Sequence, residues 1–192
     1  MSTKNNKQTA IEMWQLHAGL LLEHGVDLTN RSFCINADIE QSLFDVVDRK
    51  MSILEKDSHE PIIIKLNSAG GEVIAGWALV SRIKASPCKI TIEAHGCVMS
   101  AATMLLACAD VRRASKYCTI MFHEGSLEAA GKVSDVRDII TAAAREERMY
   151  VDFLVKYSTK SRQFWAKMIS SNKDTYLTAQ QVLKLGIIDE VF

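Results

Sequence analysis

The chain has 192 residues, 48% apolar and 24% charged, which excludes a disordered or low-complexity segment and calls for one domain with a real core. The 23 Lys and Arg balance 23 Asp and Glu, so no overall attraction to nucleic acid or anionic lipid is built in. Apolar runs fall far short of the roughly 20 residues a spanning helix needs, and the polar start MSTKNNKQTAIEMW is not a secretory signal.

The first residues, up to about position 8, read as frayed. Residues 9–24 have helical spacing, with Gly25 as the stop. RSFCIN reads as a short strand. In ADIEQSLFDVVDRKMSILEKD, residues Ile39, Leu43, Val46, Val47 and Ile53 share a helical face behind Asn36 or Asp38 as cap. PIIIKLNS is a β-branched run that suits a strand buried on both faces, as in a parallel sheet. AGGEV is a glycine turn, and residues 73–85 are again helical. KITIEAHG is a second buried strand, followed by SAATMLLACA, a short helix opened by Ser100. DVRRASKYCTIMFH contains a third strand ending at His123, and EGSLEAAGK is a glycine-containing link. A long helix capped at Ser134 and another over SRQFWAKMIS follow. The end of the chain reads as the polar turn NKDTY, a helix capped near Thr178 and stopped by Gly186, and a last strand. Strands alternating with helices give an α/β class with right-handed crossovers.

Cys34, Cys88, Cys97, Cys108 and Cys118 are scattered without CxxC spacing and read as reduced thiols of a cytoplasmic protein. The histidines form no HExxH or HxH pair, so no metal site is expected.

Four places can carry chemistry. Ser100 opens a helix, where the dipole and unpaired N–H groups favour a nucleophile, although an N-cap is the commoner use of such a serine. Gly70 and Gly71 follow a strand and can present backbone N–H groups to an oxyanion, or simply make a tight turn. NSAGGEV matches neither GxGxxG nor GxxxxGK[ST], which argues against a phosphate loop. His123 stands at the carboxyl end of a strand, where parallel sheets place their sites, and is either a base or a hydrogen-bonded core edge. Asp174 is either the acid that orients the base or a turn residue, with Asp110 and Asp189 as rivals. Together they supply nucleophile, oxyanion donors, base and orienter, in the chain order Ser, His, Asp and without a GxSxG elbow.

Over roughly residues 28–192 the sequence resembles the ClpP-like serine peptidases, the proteolytic subunits of Clp protease. NSAGG is similar to the family's N-S-P-G-G turn, with Ala69 replacing a proline whose loss should leave the loop less pre-set. GCVMSAAT resembles the nucleophile block G-x-x-A-S-M-[GA], with Met99 and Ala101 as departures. IMFHEGS resembles M-I-H-Q-P, with Glu124 and Gly125 replacing Gln-Pro. KDTYLTAQQVLKLGIIDEV resembles the closing block that carries the catalytic aspartate, and Asp189 falls on a structural aspartate.

The resemblance implies a ClpP/crotonase-type α/β fold of repeated ββα units, with residues 124–157 as a protruding handle and 1–27 as a divergent N-terminal segment. It implies Ser100 as nucleophile, His123 as base and Asp174 as orienter, with the backbone N–H groups of Gly71 and Ala101 as oxyanion hole. It further implies no cofactor, a peptide or unfolded-protein substrate, stacked heptameric rings and a possible AAA+ unfoldase. The departures point to a phage or prophage relative of the kind that matures capsids. The alternatives are a crotonase-type acyl-CoA enzyme, which would not need the Ser–His–Asp set, and a non-enzymatic assembly protein of the same fold.

Overall fold

The β-branched run of PIIIKLNS forms a central strand. The computed structural model describes residues 2–192, with side chains from residue 11 onward. In chain order the elements are α1 (Ser2–His24), β1 (Val26–Asp27), β2 (Ser32–Asn36), α2 (Gln41–Asp57), β3 (Ile62–Ser68), α3 (Val73–Lys84), β4 (Ile90–Met99) and α4 (Ala102–Cys108). They continue with β5 (Val111–Ala114), β6 (Thr119–Phe122), α5 (Val133–Lys156), α6 (Arg162–Ile169), β7 (Thr175–Thr178), α7 (Ala179–Leu185) and β8 (Glu190–Val191).

The sheet runs β1-β2-β3-β4-β5-β8 and is parallel from β2 to β8, with β1 antiparallel at the edge. β4 has two consecutive neighbours. Its first half pairs with β5, from Thr91↔Val111 to Ala94↔Ala114, and its second half pairs with β6, from Cys97↔Thr119 to Met99↔Met121. The switch falls at Gly96, whose φ is +54°, and beside a register shift in β3 between Leu66 and Ser68. Asn67 fills the gap, its Oδ1 accepting from the Cys97 amide at 2.9 Å and its Nδ2 donating to Asn36 Oδ1 at 2.6 Å. A Cβ at position 96 would lie 2.6 Å from Asn67 Oδ1 at a left-handed φ, so this turn favours glycine.

Ile62, Ile64 and Leu66 of β3 and Ile90, Ile92 and Ala94 of β4 join the buried side chains of α2, α3 and α4 in one cluster. Each fully buried Leu or Ile contributes about 1.5–3 kcal/mol relative to exposure. No described helix is long and apolar enough to cross a membrane.

Several elements differ from the sequence reading. β3 is buried on one face only, with Ile63 and Asn67 half-buried and Lys65 exposed on the other, because the helices of the core cover a single side. α1 starts at Ser2, earlier than residue 9. α2 starts at Gln41, because Asn36 ends β2 and Ile39 is bridged to Gly71. Neither Asn36 nor Asp38 is its cap. Glu40 takes that position without capping the helix through its side chain, which accepts from Ser42 Oγ at 2.7 Å instead. The buried stripe is Leu43, Val47, Met51 and Leu54, while Val46 is exposed. DVRRASKYCTIMFH holds two strands, β5 and β6, and the polar turn before the last helix leads into β7, which pairs antiparallel with β6. α5 is preceded by Lys132, so Ser134 is inside the helix, its Oγ donating to Asp135 at 3.0 Å. Thr178 does cap α7, in a capping box with Gln181, and Gly186 ends it at φ +78°.

Candidate active site

Ser100 lies just beyond β4 with φ +51°, a left-handed conformation that costs about 1–3 kcal/mol for a non-glycine residue and persists only where neighbours hold it. Its amide donates to Met121 O of β6 at 2.9 Å, and its carbonyl accepts from Thr103 N at 3.0 Å and Thr103 Oγ1 at 2.6 Å. The helix begins at Ala102 with Ala101 as cap, so Ser100 is not an N-cap. The strained strand-to-helix turn leaves its Oγ available, although no GxSxG sequence announces the turn.

The glycine loop is built against this turn. A Cβ on Gly70 would stand 2.7 Å from Ser100 Cβ and 2.6 Å from Met99 O. A Cβ on Gly71 would stand 2.2 Å from Ile39 O. Ile39 holds the loop from the far side, its amide donating to Gly70 O at 2.6 Å and its carbonyl accepting from Glu72 N at 2.7 Å. Gly70 N donates to Ser68 Oγ at 3.2 Å. These bonds fix the loop although Ala69 cannot. Ala101 lines the cavity beside Ser100, and neither the Ala101 nor the Gly71 amide donates to another described residue.

His123 follows β6, and the Met99↔Met121 register sets it beside Ser100. Its Nε2 lies 2.8 Å from Ser100 Oγ, and its Nδ1 lies 3.5 Å from Asp174 Oδ1. With Nδ1 protonated toward Asp174, Nε2 accepts from the serine hydroxyl. The Asp174 separation exceeds a normal hydrogen bond, so this contact is electrostatic. Asp174 is half-exposed, and Tyr176 Oη donates to its Oδ2 at 3.4 Å. The convergence follows from topology. β4 and β6 are parallel and end together, while β7 is antiparallel to β6 and starts opposite Phe122, so its preceding residue meets His123.

The rival acids are engaged elsewhere. Asp110 accepts from Ile90 N at 2.8 Å and pairs with Lys84. Asp189 accepts from Arg112 N at 2.9 Å and pairs with the Arg112 guanidinium, which against the opposing effect of burial holds its carboxyl below the usual range.

Ser100 and His123 open onto a cavity of about 330 Å³ between the Ser100 turn, the segment after His123 and α5. Met104, Leu127, Ile140 and Ile169 give it apolar walls. Tyr150 lines it too, bonded through Oη to Thr103 Oγ1 at 2.6 Å, and burial pushes its hydroxyl pKa up. Thr103 and Tyr150 link α4 to α5 and were not legible in the sequence as site residues. The spacing of Ile140, Ala143, Ala144 and Glu147 along α5 is the signal that could have found this wall. Among the described residues no group of three or more His, Cys, Asp or Glu gathers as a metal centre.

A family model described as Clp protease matches residues 25–192. The chain belongs to the Clp protease family. It is 27% identical over 187 residues to "ATP-dependent Clp protease proteolytic subunit 2" of Corynebacterium diphtheriae, a match covering 94% of this chain and 93% of that one. It is 28% identical over 169 residues to the ATP-dependent Clp protease proteolytic subunit of Dehalococcoides mccartyi, covering 85% of this chain and 82% of that one. A mutant ClpP1 from Listeria monocytogenes matches in structure with a TM-score of 0.74 and 24% identity, over 86% of this chain and 92% of that chain. That likeness speaks to the fold, which is the mixed α/β fold of ClpP.

Proposed function

We propose that this member of the Clp protease family is a serine endopeptidase that cuts peptide bonds with Ser100, His123 and Asp174. The observation that carries this reading is the 2.8 Å contact between Ser100 Oγ and His123 Nε2 at the mouth of a cavity. Ser100 Oγ attacks a peptide carbonyl, and His123 Nε2 takes the hydroxyl proton and returns it to the leaving amine. Asp174 keeps the imidazole in the tautomer that accepts from serine and offsets the positive charge it gains. The N–H groups of Gly71 and Ala101 receive the oxyanion; one such donor is typically worth about 10²–10³ in kcat.

The relatives' names call them proteolytic subunits of an ATP-dependent protease. We extend this to the chain as a homo-oligomeric ring, with residues 28–192 as the peptidase domain and 124–157 as the handle. An AAA+ unfoldase would supply unfolded chains and consume the ATP. Exposed Ile11, Trp14 and Leu22 on α1 support assembly, since contiguous exposed apolar patches mark contact surfaces.

A fluorophosphonate probe with intact-mass readout tests the chemistry. One adduct per subunit, absent in Ser100→Ala, is expected. An adduct that survives Ser100→Ala overturns the choice of nucleophile. Light scattering at micromolar concentration tests assembly, and a monomer overturns the ring.

A further inference from the structure

The cavity beside Ser100 is acidic in a chain that is neutral overall. Glu124, Glu146 and Glu147 line it, and no Lys or Arg does. None of the three makes a salt bridge or side-chain hydrogen bond with another described residue, although Arg82, Arg112, Arg113 and Arg162 are all paired with carboxylates elsewhere.

The two glutamates of α5 stand on the side of the helix that faces the cavity, where its apolar stripe would ordinarily continue. Ile140, Ala143, Ala144 and Glu147 occupy i, i+3, i+4 and i+7, Glu146 flanks them, and the stripe continues into the buried Val151 and Leu154. Glu146 and Glu147 are half-buried rather than swung into solvent. The alanines one turn earlier leave the room that the cavity occupies. An acidic pair that breaks the apolar pattern at a cavity wall, and pairs with no cation among the described residues, is the local rule violation expected at a functional position.

We infer that this cavity receives a lysine or arginine side chain of the substrate, at the residue whose carbonyl Ser100 attacks. The inference rests on the peptidase reading above and names its substrate class. A long basic side chain fits the chemistry of both parts. Its methylene stem packs along Met104, Leu127 and Ile169, and its cationic end meets the glutamates at the wall. A purely aliphatic side chain satisfies the apolar walls but leaves the acidic groups facing one another without a counterion. An acidic side chain is repelled.

The test compares fluorogenic peptides that end in lysine or in norleucine, which keeps the stem and lacks the ammonium. In the wild type kcat/KM is expected to favour lysine by roughly fivefold to tenfold at low ionic strength, the range for a few partly exposed charge contacts. The preference should shrink as salt rises through the screening range. In the Glu146→Gln, Glu147→Gln double variant the ratio should fall toward one and lose its salt dependence. Affinities of the same two peptides for Ser100→Ala, read by fluorescence anisotropy, give a measure that needs no turnover. A lysine preference in binding without cleavage by the wild type overturns the peptidase reading while keeping the cavity as a site for a basic side chain. Equal or reversed preference, no saturable binding of either peptide, or a ratio unmoved in the double variant overturns the inference itself.

Discussion

Replacing Gly71 by alanine places a methyl group against the Ile39 backbone. The residue's φ is +140°, which L side chains rarely adopt, and the new Cβ would stand 2.2 Å from Ile39 O and 3.0 Å from Ile39 N. The neighbour is backbone and is itself fixed by bonds to Gly70 O and Glu72 N, so it cannot turn aside as a flexible side chain would. Strain at such a φ costs about 1–3 kcal/mol, and overpacking against a fixed neighbour costs about 1–3 kcal/mol more. For a chain of this size each kcal/mol lowers Tm by about 2–4 °C, so a fall on the order of 10 °C is expected. If the loop relieves the clash by moving, the Gly71 amide moves with it, and fluorophosphonate labelling of Ser100 should slow by about 10²–10³. Gly19→Ala is the control. It lies in α1, where a Cβ meets nothing within 4 Å, and should be neutral or stabilising by up to about 1 kcal/mol. Scanning calorimetry and labelling rates decide. A Gly71→Ala protein with wild-type Tm and wild-type labelling would refute the reasoning.

Three further expectations follow from the same geometry. Asp174→Asn should slow Ser100 labelling by about 10²-fold or more while leaving Tm nearly unchanged, because Asp174 is half-exposed and acts through His123; an unchanged rate would remove it from the mechanism. Arg82 binds both oxygens of Glu55, at 2.9 and 2.7 Å, and Asp48 at 2.5 Å. Its hydrogen bonds hold the Glu55 carboxyl below its ordinary value of 4.5, against the opposing effect of burial. A carboxyl depressed on folding contributes stability above its unfolded pKa that is lost as pH falls through its folded pKa. Glu55→Gln should therefore cost about 1–3 kcal/mol at neutral pH and lose stability less steeply below about pH 4.5 in urea titrations. Parallel acid limbs in the two proteins would contradict this. Finally, burial pushes the Cys108 and Cys118 thiols up to about 12, whereas Cys34 is exposed. A thiol reagent at neutral pH should modify Cys34 quickly and reach Cys108 and Cys118 only on unfolding, as peptide mapping would show.

Much was legible in the chain itself, and for local reasons. A β-branched run, a capping box at Thr178, a glycine stop at position 186 and apolar spacing each act within a few residues, so they place elements before any contact is known. The glycine turn and the Ser, His and Asp blocks also stood in order along the chain, which marked Ser100, His123 and Asp174 together as candidates. Pairing was not legible. Whether NKDTY is a turn or the approach to a strand depends on β6 lying opposite, and whether DVRRASKYCTIMFH is one strand or two depends on β4 changing neighbours at Gly96. Asn36 looked like a cap because its partner, Asn67, lies 31 positions away. The left-handed turn at Ser100, the clamp of Ile39 on the glycine loop and the acidic cavity against α5 are all long-range, so composition and spacing could not express them. Sequence alone determined the class of the fold and the residues able to do chemistry, because propensity and residue type are local. Tertiary structure decided the left-handed turn at Ser100 and the acidic pocket beside it, because both exist only where separate strands and a distant helix meet.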